Sequence, residues 1–199
     1  MKYFFVGLGN PGEEYTKTRH NTGRNAVTHI AKQFGVEWDN NKNLRALTAL
    51  GNPISKWKSV FQIMFVLPET MMNNSGKAVA PVIKSKKDLA GLVVFYDDVD
   101  LPLGTFKISF NRGSGGHKGL ESVTRAVKSK EFYRVRIGIC PTTPSGKLKK
   151  PDAKKFTDFI LSDFKPNEEK ELKKVFKKIT EATEVFVSET PAHAMNRFN

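Results

Sequence analysis

A histidine, His20, and a carboxylate, Asp97, are the side chains of this sequence best suited to catalysis. A histidine titrates near neutral pH and can take a proton from water, while a carboxylate beside it fixes its tautomer and stabilises the imidazolium. The pair therefore predicts general-base activation of water. Two alternatives stay open at this level: His20 could be structural, and Asp97 could cap a turn before Pro102 together with the neighbouring aspartates.

A glycine-rich turn precedes this histidine. Residues 7–12 spell G-x-G-x-x-G, a pattern typical of dinucleotide-binding turns and hence of an oxidoreductase. Pro11 removes a backbone N–H from the phosphate cradle, the two glutamates that follow would repel a pyrophosphate, and residues 27–34 hold no carboxylate for a ribose. The sequence thus argues against a nucleotide site, and the turn instead presents the amide of Asn10 shortly before His20.

Other catalytic signatures are missing from the sequence. It contains no G-x-S-x-G, no H-E-x-x-H and no Walker loop, and its four histidines and one cysteine have no metal-ligand spacing. We therefore expect neither a serine nucleophile nor a bound metal, and no cofactor. Cys140, as a lone thiol after a strand-like segment, is interpreted as a small buried hydrophobe that forms no internal disulfide.

Length and composition indicate an ordinary globular chain. Its 199 residues suit one domain, residues 1–199, with a well-buried core. No apolar run approaches the roughly 18 residues that a membrane helix needs, and the segment before the first glycine is too short for a signal peptide. We expect a soluble, cytoplasmic protein without a membrane partner.

The charge balance favours a polyanionic partner. An excess of 33 Lys and Arg over 20 Asp and Glu leaves a net charge of +13. The basic residues that could surround one binding edge are Lys147, Lys149, Lys150, Lys154, Lys155, Lys170, Lys173, Lys174, Lys177 and Lys178, with Arg112, Lys118, Arg134 and Arg136. Such a distribution suits a phosphate backbone, although each run could equally be a solvated face.

Strand-like and helix-like segments alternate along the chain. Apolar runs predict strands at residues 3–6, 60–67, 92–96, 106–110 and 133–139, and apolar spacing at i, i+3 and i+4 predicts helices at 25–34, 75–83, 120–127 and from Pro166 onward. The pattern predicts an α/β fold: a single-domain, mixed, largely parallel twisted sheet with helices on both faces.

The carboxyl ends of the predicted strands gather polar residues. Ligands in open sheets bind beyond these ends. The first strand leads to Asn10, the second to residues 70–76, which include Asn73, and the third to Asp97. Amides and carboxylates are therefore expected at one edge of the sheet. The glycine-rich segment 113–119 precedes a predicted helix, so its backbone could face an anion, or it could simply be a flexible loop.

At this point the residues resemble the bacterial-type peptidyl-tRNA hydrolase family, whose motif blocks appear in order over nearly the whole chain. The blocks are Gly7-Leu8-Gly9-Asn10-Pro11-Gly12 with Tyr15, Arg19-His20-Asn21-x-Gly23, Thr70-x-Met72-Asn73-x-Ser75-Gly76, Asp97-x-x-Asp100-Leu101-Pro102-x-Gly104, Gly113-Ser114-x-Gly116-His117-x-Gly119-Leu120, Arg136-Ile137-Gly138-Ile139 and Ala194-Met195-Asn196-Arg197. The resemblance implies a monomeric hydrolase without metal or cofactor. Such an enzyme cleaves the ester between a peptide and the 3′ ribose of tRNA, and so recycles tRNA from prematurely released chains.

The resemblance also implies a role for each matching residue. It makes His20 the base, Asp97 its orienting carboxylate, and Asn10 and Asn73 the amides that hold substrate and water. Tyr15 and Met72 would line part of the cleft, and His117 would belong to the loop on the peptide side. Arg136 would contact the 5′-terminal phosphate of the tRNA. Substrate contact would involve the acceptor stem and the 3′ end.

Two residues depart from the family pattern. Lys118 replaces the usual Asn after the loop histidine, and a lysine there could bind a phosphate or the 3′ end of the acceptor. Ser109 stands at a position taken to be often basic and paired with the equivalent of Arg136, where Arg112 or Lys107 could compensate. Lys118 also leaves an alternative open, namely an RNA-binding relative of the family that has lost hydrolysis.

Overall fold

The computed structural model describes residues 2–52 and 62–199, and within them the strands form one seven-stranded sheet. The strands are β1 (Lys2–Gly7), β2 (Asp39–Asn41), β3 (Ala46–Gly51), β4 (Gln62–Pro68), β5 (Leu92–Pro102), β6 (Phe106–Phe110) and β7 (Tyr133–Cys140). Their order is β2-β3-β4-β1-β5-β7-β6. The four central strands β4, β1, β5 and β7 run parallel, and β2, β3 and β6 pair antiparallel at the two sides.

Helices cover both faces of this sheet. They are α1 (Thr22–Gln33), α2 (Gly76–Val79), α3 (Lys86–Ala90), α4 (Lys118–Val127), α5 (Phe156–Leu161), α6 (Pro166–Ser188) and α7 (Pro191–Phe198). Residues of α1, α6 and α7 share one buried apolar cluster with one face of β1, and residues of α2 and α4 share a second cluster with the other face. The predicted mixed sheet with a parallel centre and helices on both faces is confirmed.

The central strand β1 explains why the sheet is buried on both sides. Phe5 points into the cluster with α1 and α6, while Phe4 and Val6 point into the cluster with α2 and α4. A strand that is apolar on both faces must be covered on both.

Helix α1 begins three residues earlier than its apolar spacing predicts, and glycine is the reason. A Cβ at Gly23 would lie 2.1 Å from the carbonyl oxygen of Phe95 and 2.9 Å from that of Leu8. A glycine is therefore required for the helix to begin directly against β5 and the end of β1. This close approach brings the residues before α1 up to the sheet edge.

Several elements differ from the sequence predictions. The helix predicted at 75–83 is broken into the short α2 and a 3₁₀ turn that contains Pro81, which cannot continue an α-helix. The strand predicted at 60–67 is present from Gln62, and its first two residues lie outside the described ranges. The antiparallel strands β2 and β3 and the helices α3, α5 and α7 were not predicted, because they are short or lack a regular apolar period.

Strand β5 is longer than predicted and carries Asp97 within it. It runs to Pro102 with an irregular register between Asp98 and Pro102. The apolar run alone suggests that Asp97 lies beyond the strand, but in the structure it lies inside the strand. Because Gly7, the last residue of β1, is opposite Phe95, Asp97 still stands two residues past the end of β1, at the carboxyl edge of the sheet.

No helix in the described ranges is both long and apolar enough to cross a membrane.

Candidate active site

His20 is held at the sheet edge by the segment that leads into α1. It lies in a 3₁₀ turn, Arg19–Asn21, directly before the helix. The next residue, Asn21, ties this turn to the glycine-rich turn after β1: it accepts the backbone N–H of Asn10 at 2.8 Å and donates its amide to the Asn10 carbonyl at 2.9 Å. The predicted amide and the predicted base are therefore on two segments joined by a pair of hydrogen bonds.

Asp97 and His20 form the predicted pair. The His20 Nδ1 atom lies 3.1 and 3.0 Å from the two carboxylate oxygens of Asp97, and the two residues are 7% and 4% exposed. A carboxylate that accepts from Nδ1–H leaves the lone pair on Nε2. Within the described residues, Nε2 of His20 has no hydrogen-bond partner, so the imidazole is oriented as a general base.

The charges around the pair set its protonation. Burial alone would lower the pKa of His20, but the Asp97 carboxylate and its hydrogen bond outweigh burial and raise that pKa above its ordinary value, while Lys118 opposes the rise. Burial likewise works against the charged form of Asp97, yet His20 and His117 together hold the pKa of this carboxyl well below its usual range. Asp97 therefore stays ionised whenever His20 has to accept a proton.

A second imidazole, that of His117, contacts the same carboxylate. Its Nε2 lies 3.0 Å from Asp97 Oδ1, and its Nδ1 accepts the backbone N–H of Leu120 at 3.2 Å, which caps the start of α4. The His117 ring lies 4.9 Å from the His20 ring and 4.9 Å from the Tyr96 ring, centre to centre. His117 thus contacts the same carboxylate as His20, and the sequence spacing alone does not reveal this contact.

The three side chains His20, Asp97 and His117 are also the group within the described residues whose ligand atoms could hold a metal ion, since these atoms lie within 4.8 Å of one another. Each imidazole nitrogen, however, lies about 3.0 Å from an Asp97 oxygen. Such distances are typical of hydrogen bonds, and each of the three side chains takes part in one of these two contacts. We therefore assign the three residues to a hydrogen-bonded trio.

A cavity of about 220 Å³ opens beside the trio. Its lining combines acidic, basic and polar side chains with the apolar side chains of α5. The residues lining it are His20, Tyr96, Asp97, Asp98, Val99, Asp100, Arg112, residues 113–116 of the glycine-rich loop, His117, Lys118, Arg136, Phe156, Thr157, Ile160 and Leu161. Of the predicted site residues, His20, Asp97, His117, Lys118 and Arg136 thus share one cavity.

The amide of Asn10 is fixed at the neighbouring edge. Asn10 is 4% exposed, and its Oδ1 accepts the backbone N–H of Met72 at 2.8 Å. This hydrogen bond orients the amide, and its Nδ2 group, which has no partner among the described residues, is a donor available to a ligand. Met72 is itself buried, and a Cβ at Gly119 would lie 2.4 Å from its sulfur, so its side chain packs beside the start of α4.

Asn73 and Tyr15 are less constrained. Asn73 is exposed in the 3₁₀ turn Met72–Asn74, where its Oδ1 accepts from the Asn74 amide at 3.2 Å. Tyr15 is half-buried at the end of a 3₁₀ turn, Glu13–Tyr15. Neither residue, nor Asn10 or Met72, belongs to the lining of the cavity.

The basic residues divide into two groups in the structure. Arg136 lies in the cavity wall, where its Nε donates to Asp98 at 2.7 Å, and Arg112 and Lys118 line the same cavity. Arg134 is fully buried instead: its Nη1 donates to the carbonyls of Lys130 and Phe132, and its guanidinium stacks on the Phe132 ring. The expectation that Arg134 belongs to a phosphate-binding surface is therefore wrong.

Strand register shows how Lys107 could compensate for Ser109. Lys107 is directly opposite Arg136 in the β6–β7 pair, whereas Ser109 is opposite Arg134. Directly opposite residues of an antiparallel pair share a face of the sheet. The lysine, and not the serine, therefore stands at the position that pairs with Arg136.

Two contributors to the site were not predicted. Tyr96 lines the cavity beneath His117; burial first of all, and then Asp98, raise the pKa of its phenol to about 12 against the opposing charges of three arginines. Helix α5 supplies the apolar wall, with Phe156 and Leu161 each 39% exposed. Alternation along β5 places Tyr96 on the face opposite Asp97, so the sequence offered no signal for its presence, and α5 is too short for a periodic one.

Comparison with known proteins finds relatives along almost the whole chain. The family model described as "Peptidyl-tRNA hydrolase" matches residues 4–199. The peptidyl-tRNA hydrolase of Chloroflexus aggregans is 38% identical over 199 residues, covering 99% of this chain and 98% of the relative, and that of Solibacter usitatus is 35% identical over 198 residues, covering 99% and 94%.

A solved structure gives the same result for the fold. The crystal structure of peptidyl-tRNA hydrolase from Acinetobacter baumannii superposes with a TM-score of 0.86 at 27% identity, and the match covers 99% of this chain and 94% of that one. The match of the family model over almost the whole chain, the identity to curated relatives and the shared fold lead to one conclusion. This chain belongs to the peptidyl-tRNA hydrolase family.

Proposed function

We propose that this protein hydrolyses the ester bond between the C-terminal carbonyl of a peptide and the 3′ ribose of tRNA, with water activated by His20. The observation that carries the proposal is the state of the His20 ring. Its Nδ1 is bonded to a buried carboxylate, and its Nε2 is unpartnered in the described residues beside an open cavity. Membership of the family supports the same reaction.

The reaction balances with these groups and water alone. His20 Nε2 takes a proton as the water oxygen attacks the ester carbonyl, and Asp97 stabilises the imidazolium that forms. Collapse of the tetrahedral intermediate breaks the bond to the ribose 3′ oxygen, and His20 returns the proton to that oxygen. The products are a peptide with a free carboxyl group and a tRNA with a free 3′ hydroxyl.

We assign the oxyanion contact to Asn10. Its Oδ1 is occupied by the Met72 N–H, and its backbone is tied to Asn21, so its Nδ2 donor is fixed in direction. A donor that is fixed before the reaction stabilises a developing negative charge without reorganisation. Asn73 is exposed and less constrained, which suits contact with the substrate or the attacking water as it enters.

The basic residues of the cavity lining, Arg112, Lys118 and Arg136, suit the nucleic-acid part of the substrate. Arg136 retains guanidinium donors beyond its bond to Asp98, and Lys107 stands opposite it. We assign these two to the terminal phosphate, Lys118 to the 3′ end, and Tyr15 and the loop that carries His117 to the peptide side. The exposed lysines of α6, at positions 170, 173, 174, 177 and 178, would extend the contact along the acceptor stem. A monomer suffices for all of these contacts.

The test uses N-acylated aminoacyl-tRNA and free aminoacyl-tRNA as parallel substrates. We expect the protein to cleave the acylated ester, and His20→Ala to reduce kcat by about 10³-fold, within the range usual for loss of a general base. The matched control is His193→Ala, because His193 is an exposed histidine on α7 that pairs with Glu189. Full activity in His20→Ala would refute the role of this base, and tRNA binding without cleavage by the unmodified protein would indicate an RNA-binding relative.

A further inference from the structure

His117 shares the Asp97 carboxylate with the base, and this geometry has a consequence for catalysis. The two imidazoles approach Asp97 from different segments: His20 from the turn before α1, and His117 from the first residue before α4. Both lie about 3.0 Å from its oxygens. A carboxylate buried to 4% exposure therefore has two nitrogen donors, only one of which is the proposed base.

The helix cap decides which tautomer His117 adopts. Its Nδ1 accepts the Leu120 backbone N–H, so this nitrogen carries a lone pair, and the ring proton is on Nε2, facing Asp97. Capping of the α4 N-terminus thus fixes His117 as a donor to the carboxylate. Tyr96 and Gly119 hold the ring from two further sides: the Tyr96 ring lies 4.9 Å away, and a Cβ at Gly119 would lie 3.1 Å from His117 Cε1.

We propose that His117 is a positioning residue that acts through Asp97: its Nε2–H holds the carboxylate in register with His20 and limits how strongly that carboxylate attracts the proton of His20. The positive end of an N–H dipole directed at Asp97 also lies close to the His20 ring, since the ring centres are 4.9 Å apart. Both effects weaken the hold of the imidazolium on its proton. His117 thereby keeps the base available near neutral pH, where an unprotonated imidazole is needed.

His117 is the member of the trio that can be changed without removing the proposed base or its carboxylate. The charged and titratable groups that line the cavity beside the His20–Asp97 pair are Lys118 from α4, Tyr96, Asp98 and Asp100 from β5, Arg136 from β7 and Arg112 from the loop after β6. Asp100 is paired with Lys150. Asp98 is already paired with Arg136. Among the described residues, His117 is the one besides His20 that donates to the Asp97 side chain.

This inference rests on the proposed hydrolysis, and its test compares His117→Asn with His117→Ala. Asn is among the preferred N-cap residues, so His117→Asn keeps an acceptor for Leu120 N–H but is too short to reach Asp97. We expect both variants to lower kcat by about tenfold with little change in KM, and to move the acid limb of the kcat profile to higher pH by about half a unit. The matched control is His193→Asn on α7, which should leave rate and profile unchanged.

Each other outcome would overturn the inference. Full kcat in His117→Asn with loss only in His117→Ala would mean that the cap alone matters, and a rise in KM with an unmoved pH profile would mean that His117 only binds substrate. A second measurement is independent of activity: the ring ¹⁵N shifts of His117 should show the Nε2–H tautomer, and the Nδ1–H tautomer would refute the proposal. Absence of cleavage by the unmodified protein would refute the proposed function but leave the ring measurement interpretable.

Discussion

Two adjacent residues, Arg19 and His20, are both buried and both contact a carboxylate, but they differ in what is left unpaired. The Arg19 guanidinium donates to Glu168 at 2.7 Å, to Ser162 and to the Ile139 carbonyl, and it stacks between the rings of Phe159 and Phe164. His20 bonds Asp97 through one nitrogen, and the other nitrogen has no partner in the described residues.

The difference separates a charge that is held in the fold from the proposed base. A buried ion pair whose donors are satisfied contributes to holding the fold in one arrangement, because removing either partner leaves an uncompensated charge. An imidazole with one nitrogen oriented and the other open can exchange a proton with a ligand. Since the two residues share one turn, the pairing of Arg19 with α6 and α5 also fixes the backbone from which His20 extends.

The largest expected effect comes from neutralising the carboxylate beside His20. Asp97→Asn should lower kcat by about 10³- to 10⁴-fold, because an amide no longer stabilises the imidazolium and can impose the wrong tautomer. Burial and Lys118 both lower the pKa of His20. Without Asp97 they are unopposed, so the residual activity should have its acid limb at lower pH than the unmodified protein. A residual profile displaced to higher pH would contradict this account of the pair.

The structural half of the comparison is tested by Glu168→Gln. The variant keeps an acceptor for the Lys165 N–H but leaves Arg19 without its counter-charge, which should reduce the free energy of unfolding by about 3–5 kcal/mol. Urea denaturation measures the loss. The acid limb of the activity profile should not move in the folded enzyme. Glu171→Gln is the matched control, because its pair with Lys174 is exposed and should matter little.

Asn10 extends the comparison to an amide whose Oδ1 accepts a hydrogen bond from Met72 and whose Nδ2 has no partner among the described residues. Asn10→Asp retains an oxygen for the Met72 N–H but removes the Nδ2 donor. We expect kcat to fall by about 100-fold, the effect usual for loss of one oxyanion donor, with KM changed much less. Asn10→Ala should lose at least as much. Full activity in Asn10→Asp would show that the oxyanion is held by another group, and Asn73 would then be the next residue to test.

The elements that the sequence predicted well are those with strong local signals. Residues 3–6 and 92–96 are apolar enough to be buried on two faces, and residues 106–110 form a strand with the predicted bounds. The long helix from Pro166 has a regular apolar face and an exposed lysine face. Local pattern suffices in these cases because burial of one or both faces is decided within the segment itself.

The features that the sequence did not predict depend on distant contacts. Arg19 and Glu168 are 149 residues apart, and nothing local distinguishes this arginine from a surface one. Arg134 and Arg136 are two positions apart on one strand, yet only the first is enclosed by Phe132 and neighbouring carbonyls. The contact of His117 with Asp97 requires α4 to begin beside β5. Register, helix docking and enclosure are tertiary facts, so motif matching named His20, Asp97 and His117 but not how the two histidines share one carboxylate.

The smallest effect concerns Lys118, whose charge reaches the base from an exposed position. Lys118 lowers the pKa of His20, so Lys118→Gln should raise that pKa further and move the acid limb of kcat to higher pH by a few tenths of a unit, since solvent and salt screen an exposed charge. The shift should shrink as salt is added. Lys128→Gln is the matched control: it lies at the other end of α4, about 15 Å along the helix axis and beyond the screening length of about 8 Å at physiological salt. An equal shift in both variants would mean that the net charge of the protein, and not the position of Lys118 beside His20, sets the pKa of His20. The contrast between Arg19 and His20 would then rest on their hydrogen bonds alone.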